Sequence, residues 1–181
     1  MRAVRSVDAE AAVTWPGGRS HDGGLDEITV PEHVPGRVFL CGKHVVGPDP
    51  EGVRQRLGGD VVVVCFNQRA DIARYDGYAD WLATSPDARW YEIPDLHAPR
   101  IDEAIGILDG IVGLLRDGRT VVMHCSAGIG RAGTMAVAVL MALGVPTEEA
   151  LATVASQRPG AGPEVGAQRD LLDALDSHLA R

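Results

Sequence analysis

A thiol and a guanidinium are held at the two ends of one short loop. Cys125 and Arg131 stand with five residues between them in Val-Val-Met-His-Cys-Ser-Ala-Gly-Ile-Gly-Arg-Ala-Gly-Thr, residues 121–134. An apolar run ends at His124-Cys125, and Arg131 opens a helix-like apolar segment. Gly128 and Gly130 free the backbone to turn successive N–H groups inward, as a nest for an anion. A helix start behind the loop adds its dipole and its unpaired N–H groups. A sulfur inside such a nest is favoured as thiolate, because a cysteine pKa of about 8.5 falls to roughly 3.5–7.5 where negative charge is stabilised. A thiolate beside a phosphate-shaped anion site is a nucleophile aimed at phosphorus.

The same letters hold a competing pattern. Gly128, Gly130 and Gly133 spell G-x-G-x-x-G, the phosphate turn of dinucleotide-binding folds. Those folds need a second strand soon afterwards, ending in an acidic residue about 20 positions on. Glu148 and Glu149 have roughly that separation but follow Pro146-Thr147, which reads as a helix start. The pattern also leaves Cys125 and Arg131 without a purpose.

Elements able to position the loop are legible around it. Val61 to Phe66 is an unbroken apolar run rich in β-branched residues, expected of a strand covered on both faces. Val38 to Cys41, Trp90 to Ile93 and Thr120 to Met123 read as further strands, the last of them central. The arm over residues 1–35, broken by Pro16-Gly17-Gly18, Gly23-Gly24, Pro31 and Pro35-Gly36, is expected to pack on the domain formed by residues 36–181. That arm has room for strands near Ala11 to Trp15 and Ile28 to Val30.

Helices are expected over Asp49 to Leu57, with Pro50 in first position, and over Asp71 to Ala83. Ile101, Ile105, Leu108, Val112 and Leu115 mark one face of a helix that stops at Gly118. Arg131 to Leu143, Thr147 to Ser156 and Glu164 to Leu179 complete the set. Strands alternating with helices predict one α/β domain with a mostly parallel central sheet, flanked by helices on both faces.

His-Cys, five residues, then Arg resembles the signature of the cysteine-dependent protein tyrosine phosphatases, most closely their bacterial dual-specificity-type branch. The likeness covers about residues 36–178 and is strongest over 120–134. It implies Cys125 as nucleophile and phosphocysteine site, with the N–H groups of Ser126, Ala127, Gly128, Ile129, Gly130 and Ala132, together with Arg131, binding the phosphoryl oxygens. Arg131 suits the task because its planar fork donates two parallel hydrogen bonds. The family carries Ser or Thr directly after the arginine, and here it is Ala132. That hydroxyl stabilises the thiolate as it leaves phosphorus, so its absence bears on hydrolysis of the intermediate. Thr134 reads as facing the helix surface.

Dephosphorylation also needs an acid for the leaving oxygen and then a base for water. Such a group belongs on a loop outside the carboxyl end of a strand. Asp95 meets the requirement, 30 residues before Cys125 on a loop bracketed by Pro94 and Pro99. Asp102 is the second candidate, read as a residue of a helix start. His97 and Arg100 read as exposed side chains, and His124 as a local brace for the loop. Gln168 is either a surface side chain or, by the resemblance, a group that positions water. Some relatives join the nucleophile to a cysteine placed like Cys65; a small buried core residue is the plainer reading.

The chain of 181 residues carries a net charge of −8 with no basic stripe, which makes nucleic acid and anionic membranes poor partners. No apolar run is long enough to span a bilayer, and the N-terminus lacks the apolar stretch of a signal peptide. Three cysteines, at 41, 65 and 125, suit a reducing cytoplasm, and their spacing suggests neither zinc nor another metal. No cofactor is expected. Lys43 is the only lysine against sixteen arginines, a bias typical of GC-rich bacterial genomes.

The expected activity is hydrolysis of phosphotyrosine, with phosphoserine and phosphothreonine as further substrates, on a phosphorylated protein. Two alternatives stand beside it. A phosphoinositide or small-molecule phosphatase would gain from basic residues where Ala127 and Ile129 stand. A phosphopeptide-binding pseudophosphatase would keep the loop and lose hydrolysis, as Ala132 allows.

Overall fold

A computed structural model describes residues 24–180. Five strands form one sheet in the order β1-β2-β5-β3-β4. They are β1 (Asp26–Ile28), β2 (Arg37–Gly42), β3 (Val61–Cys65), β4 (Ala88–Trp90) and β5 (Thr120–Cys125). Only β1 runs antiparallel, on the edge beside β2; the others are parallel. The α/β architecture with helices on both faces is therefore as the alternation of apolar runs requires. The strand expected over Ala11–Trp15 lies outside the described residues.

Period-two alternation divides the core cleanly. Val62, Val64, Val121, Met123 and Cys125 point to one face, where α5 (Ile101–Arg116), α6 (Gly130–Ala142), α7 (Thr147–Gln157) and α8 (Gly166–Leu179) cover them. Val61, Val63, Cys65, Cys41 and Val122 point to the other. That face is covered by α1 (Lys43–Val46), α2 (Pro50–Arg56), α3 (Arg69–Ile72) and α4 (Tyr78–Thr84). Every residue of β3 is buried, which explains why its sequence carries no polar alternation.

The single helix expected over Asp71 to Ala83 is two short ones. The first ends at Ile72, and Gly77, at φ +74° in the left-handed region, is the residue from which the second starts. Of the apolar positions behind that expectation, Ile72 and Leu82 are buried and Tyr75 and Ala79 partly so, while Tyr78, outside the spacing, is buried as well. The fourth strand begins and ends earlier than Trp90–Ile93. Past it, Tyr91 and Ile93 still donate their N–H groups to Cys65 O and Phe66 O, so the chain follows β3 without regular pairing. Among the described residues no helix is long and apolar enough to cross a membrane.

Candidate active site

Everything of chemical interest lies at the carboxyl ends of the parallel strands, where open α/β sheets present their ligands. The loop after β5 carries Cys125 at its start and Arg131 in the first turn of α6. The loop after β4 carries Asp95, and Asn67 and Asp71 follow β3. The sequence-predicted trio of Cys125, Arg131 and Asp95 is brought to one place.

Carbonyl placement shapes the loop. Arg158, completely buried, donates from Nε to Gly128 O at 2.8 Å and from Nη2 to Ala127 O at 2.7 Å. The backbone N–H of Lys43 donates to Ser126 O at 3.3 Å. In a trans peptide the C=O and the following N–H point in opposite directions. Pinning these three carbonyls therefore turns the N–H groups of Ala127, Gly128 and Ile129 the other way. None of the three has a protein acceptor among the described residues. Gly128 adopts φ +72°, and a Cβ there would collide with Cys41 O, so only glycine fits.

Arg131 is buried and multiply bound. Its Nη1 donates to Ile93 O at 2.9 Å and to Asp71 Oδ2 at 3.0 Å, while Nη2 donates to Ser126 Oγ at 3.0 Å. The same Nη2 lies 3.1 Å from Asp95 Oδ1. Two carboxylates thus meet one guanidinium in different surroundings. Asp71 is 27% exposed at its side chain and Asp95 69%. Burial works to raise the Asp71 pKa, but hydrogen bonds from Asn67, Arg131 and the Gln68 N–H outweigh it and hold it below the usual carboxylate range. Asp71 is a fixed counter-ion, and Asp95 is the solvent-facing carboxyl.

The Asp95 loop is a tight turn. His97 N–H donates to Pro94 O at 3.1 Å, and Leu96 between them has φ +58°, the only positive φ at a non-glycine among the described residues. That strain belongs to the turn that aims Asp95 at Arg131. His97 Nδ1 lies 2.7 Å from Asp95 O, its ring exposed as expected, so it braces the turn. Arg100 and Asp102 form an exposed pair at the start of α5. Gln168 is buried, not on the surface: its Nε2 donates to His97 O at 3.3 Å and its Oε1 accepts from Glu164 N–H at 2.8 Å. Thr134 is likewise buried and donates to Gln168 Oε1 at 3.4 Å, which places its hydroxyl in the bracing of the Asp95 loop.

His124 braces through a distant partner instead of a local one. Tyr78 Oη lies 2.6 Å from His124 Nε2. Burial lowers the His124 pKa to about 3 and pushes that of Tyr78 far above its usual value. At neutral pH both groups are therefore uncharged, and they share one buried hydrogen bond. Tyr78→Phe leaves that nitrogen buried without its partner, an expected loss of about 1–3 kcal/mol in denaturant unfolding. Because the folded-state pKa is depressed, the stability linked to neutral His124 is whole above the unfolded value of 6.5. It is lost as pH falls from there toward about 3, a fall that unfolding at stepped pH would measure.

Cys41 and Cys65 are free, buried and pushed up to about 12, chiefly by burial. Cys65 stands in register with His124 on the sheet face opposite to the Cys125 side chain. Sequence reasoning passed over Arg158, Asn67, Asp71 and Tyr78.

Comparison with known proteins agrees with this geometry. A family model described as a polymorphic toxin system DSP-PTPase phosphatase matches residues 80–145, the span that holds Asp95, Cys125 and Arg131. The structure resembles Tk-PTP in its active form at 25% identity and a TM-score of 0.65, covering 91% of this chain and 99% of that one. The chain thus shares the fold of dual-specificity-type phosphatases and matches their family model over the span that carries the loop. Its fold is shared by kinase associated phosphatase, at 18% identity and a TM-score of 0.69 over 87% of this phosphatase and 96% of the other. Human DUSP28 matches at 19% and 0.62, over 86% and 96%. No curated protein matches the phosphatase by sequence.

Proposed function

We propose that this phosphatase hydrolyses phosphotyrosine, and with it phosphoserine and phosphothreonine, in proteins through a phosphocysteine intermediate. The observation that carries the reading is the set of three acceptor-free N–H groups, at Ala127, Gly128 and Ile129, between Cys125 and the buried Arg131. Those donors, with the backbone of Ser126, Gly130 and Ala132, bind the non-bridging oxygens of the phosphoryl group. They meet charge that spreads over the equatorial oxygens in the transition state without having to reorganise.

In the first step the Cys125 thiolate forms a bond to phosphorus as the bond to the leaving oxygen breaks. Protonated Asp95 gives its proton to that oxygen. In the second, the Asp95 carboxylate takes a proton from water as the water oxygen attacks phosphorus; the P–S bond breaks, returning the thiolate and releasing phosphate. The division of labour between the carboxylates supports this. Asp71 is held charged by three donors and cannot supply a proton at neutral pH, whereas Asp95 reaches the same guanidinium from solvent.

A leaving-group series tests the assignment. Asp95→Asn is expected to lower kcat by about 100-fold or more for phenyl phosphate, whose leaving group needs a proton. For nitro-substituted phenyl phosphates, which leave as stable anions, the loss shrinks toward a few-fold. Equal losses across the series would remove Asp95 from the acid role.

A further inference from the structure

A cavity of about 460 Å³ lies between the Asp95 loop and α5, outside the catalytic loop. Both legs of the acid loop line it, Ile93 and Pro94 on one side of Asp95 and Ala98 and Pro99 on the other. The far wall is α5, where Gly106 faces the space; a Cβ built there would meet nothing within 4 Å. An interior helical glycine costs about 0.5–1 kcal/mol relative to alanine, and no crowding here requires one. With no side chain at this position, that part of the helix wall adds nothing to the cavity.

Two carboxylates, Glu92 and Glu103, join the apolar lining. Each accepts a backbone N–H, from Arg69 and Arg100 respectively, and neither forms an ion pair among the described residues. The nearby guanidiniums are engaged elsewhere, Arg100 with Asp102 and Arg69 over the Trp90 ring. Aliphatic walls with two unneutralised carboxylates suit a long alkyl stem ending in a cation.

We propose that this cavity receives a lysine or arginine side chain one or two residues from the phosphorylated residue of a protein substrate. The inference rests on the phosphatase reading and adds its sequence preference. Pro94, in the wall, is the immediate neighbour of Asp95, whose carboxylate touches Arg131. One or two residues of extended chain span about 3–7 Å, enough to carry a flanking side chain from the anion site past the acid loop. The methylenes of that side chain lie along Ile93 and Pro99 while its charge meets Glu92 and Glu103. An acidic flank brings like charges together instead.

The test uses three phosphotyrosine peptides identical except for Arg, Ala or Glu at the flanking positions. Each is assayed with the wild-type protein, Glu103→Gln and Gly106→Leu, with phenyl phosphate reporting on the catalytic loop. The wild type is expected to favour the Arg peptide over the Glu peptide by about five- to tenfold in kcat/KM, mostly through KM. Gly106→Leu, which fills the cavity, should bring that ratio close to one, and Glu103→Gln should lower it part-way. A wild type that turns over phenyl phosphate but treats the three peptides alike overturns this inference alone. So does a Gly106→Leu protein that keeps the full preference. If no substrate is hydrolysed and the Cys125→Ser protein binds none of the peptides, the phosphatase reading fails and this inference with it.

Discussion

Replacing Cys125 with serine is expected to lower kcat for an aryl phosphate by about 10⁴-fold or more, while the folded protein still binds a phosphate-sized oxyanion. The two atoms differ little in volume, but Cys125 is a buried member of the core cluster, so the new hydroxyl should cost about 1–3 kcal/mol of stability without unfolding the protein. The chemistry changes far more. A thiol ionises near pH 8.5 in water, within reach of a nest of amides, whereas a serine hydroxyl needs a base to take its proton. The only imidazole adjacent in sequence cannot serve. His124 projects to the opposite face of the sheet, where its Nε2 is hydrogen-bonded to Tyr78 Oη and burial disfavours its charged form. No imidazole adjacent to residue 125 is therefore placed to take a proton from serine. Rapid mixing followed by acid quench should trap a phosphorylated wild-type protein and none from the variant. A variant retaining a tenth of the activity would show that some other group attacks phosphorus.

How much of this was legible in the chain follows a physical line. Strands buried on both faces announce themselves by unbroken β-branched runs, so β3 and β5 and the parallel sheet were plain. The loop was legible because its donors, its glycines and its cysteine are contiguous. The nearness of Asp95 to Arg131 could be anticipated because a residue just past a parallel strand lies at the end of the sheet where the loop sits. The helix break at Gly77 was marked by Asp76-Gly77, a turn signal overridden by apolar spacing that fits one long helix or two short ones equally well. Asn67 and Asp71 also left a trace, as polar residues directly after a wholly buried strand at the end of the sheet where ligands bind. Their roles were not readable, since both act through Ser126 and Arg131, some sixty positions away.

Thr134 and Gln168 show the limit from another side. Each is polar, and polarity alone suggests the surface; both are buried because they satisfy one another and the backbone of the acid loop. Such pairs are invisible to a reading that treats residues one by one. Lys43 is similar. Its Nζ donates to Asp71 O at 2.7 Å, so the chain's one lysine supports the segment that anchors Arg131.

Arg158→Met is expected to be the most damaging substitution away from the reacting atoms. Arg158 lies in a link between two helices, beside Pro159-Gly160, and nothing local distinguishes it from a solvated arginine. Folding brings it to partners 30, 31 and 132 residues away: Gly128 O, Ala127 O and, at 2.5 Å, the Asp26 carboxylate. Methionine roughly preserves the stem and removes every donor. Asp26 is then a half-buried carboxylate without its cation, and two loop carbonyls lose their hydrogen bonds. Removing one partner of such a pair costs about 3–5 kcal/mol, a large share of the 5–15 kcal/mol that holds a domain together. The catalytic consequence is separable from the stability loss. Without Arg158 the peptides after Ala127 and Gly128 are free to rotate, and their N–H groups no longer converge on the phosphoryl oxygens. Each such donor is worth about 10²–10³ in kcat. Below its melting temperature the folded variant should therefore show both a depressed kcat and weaker competition by an oxyanion such as vanadate. Asp26→Asn, which keeps Arg158 and its two bonds to the loop, should be destabilised with kcat nearly intact. If the two variants lose activity in proportion to their stability alone, Arg158 is only a structural ion pair and the loop holds its shape without it.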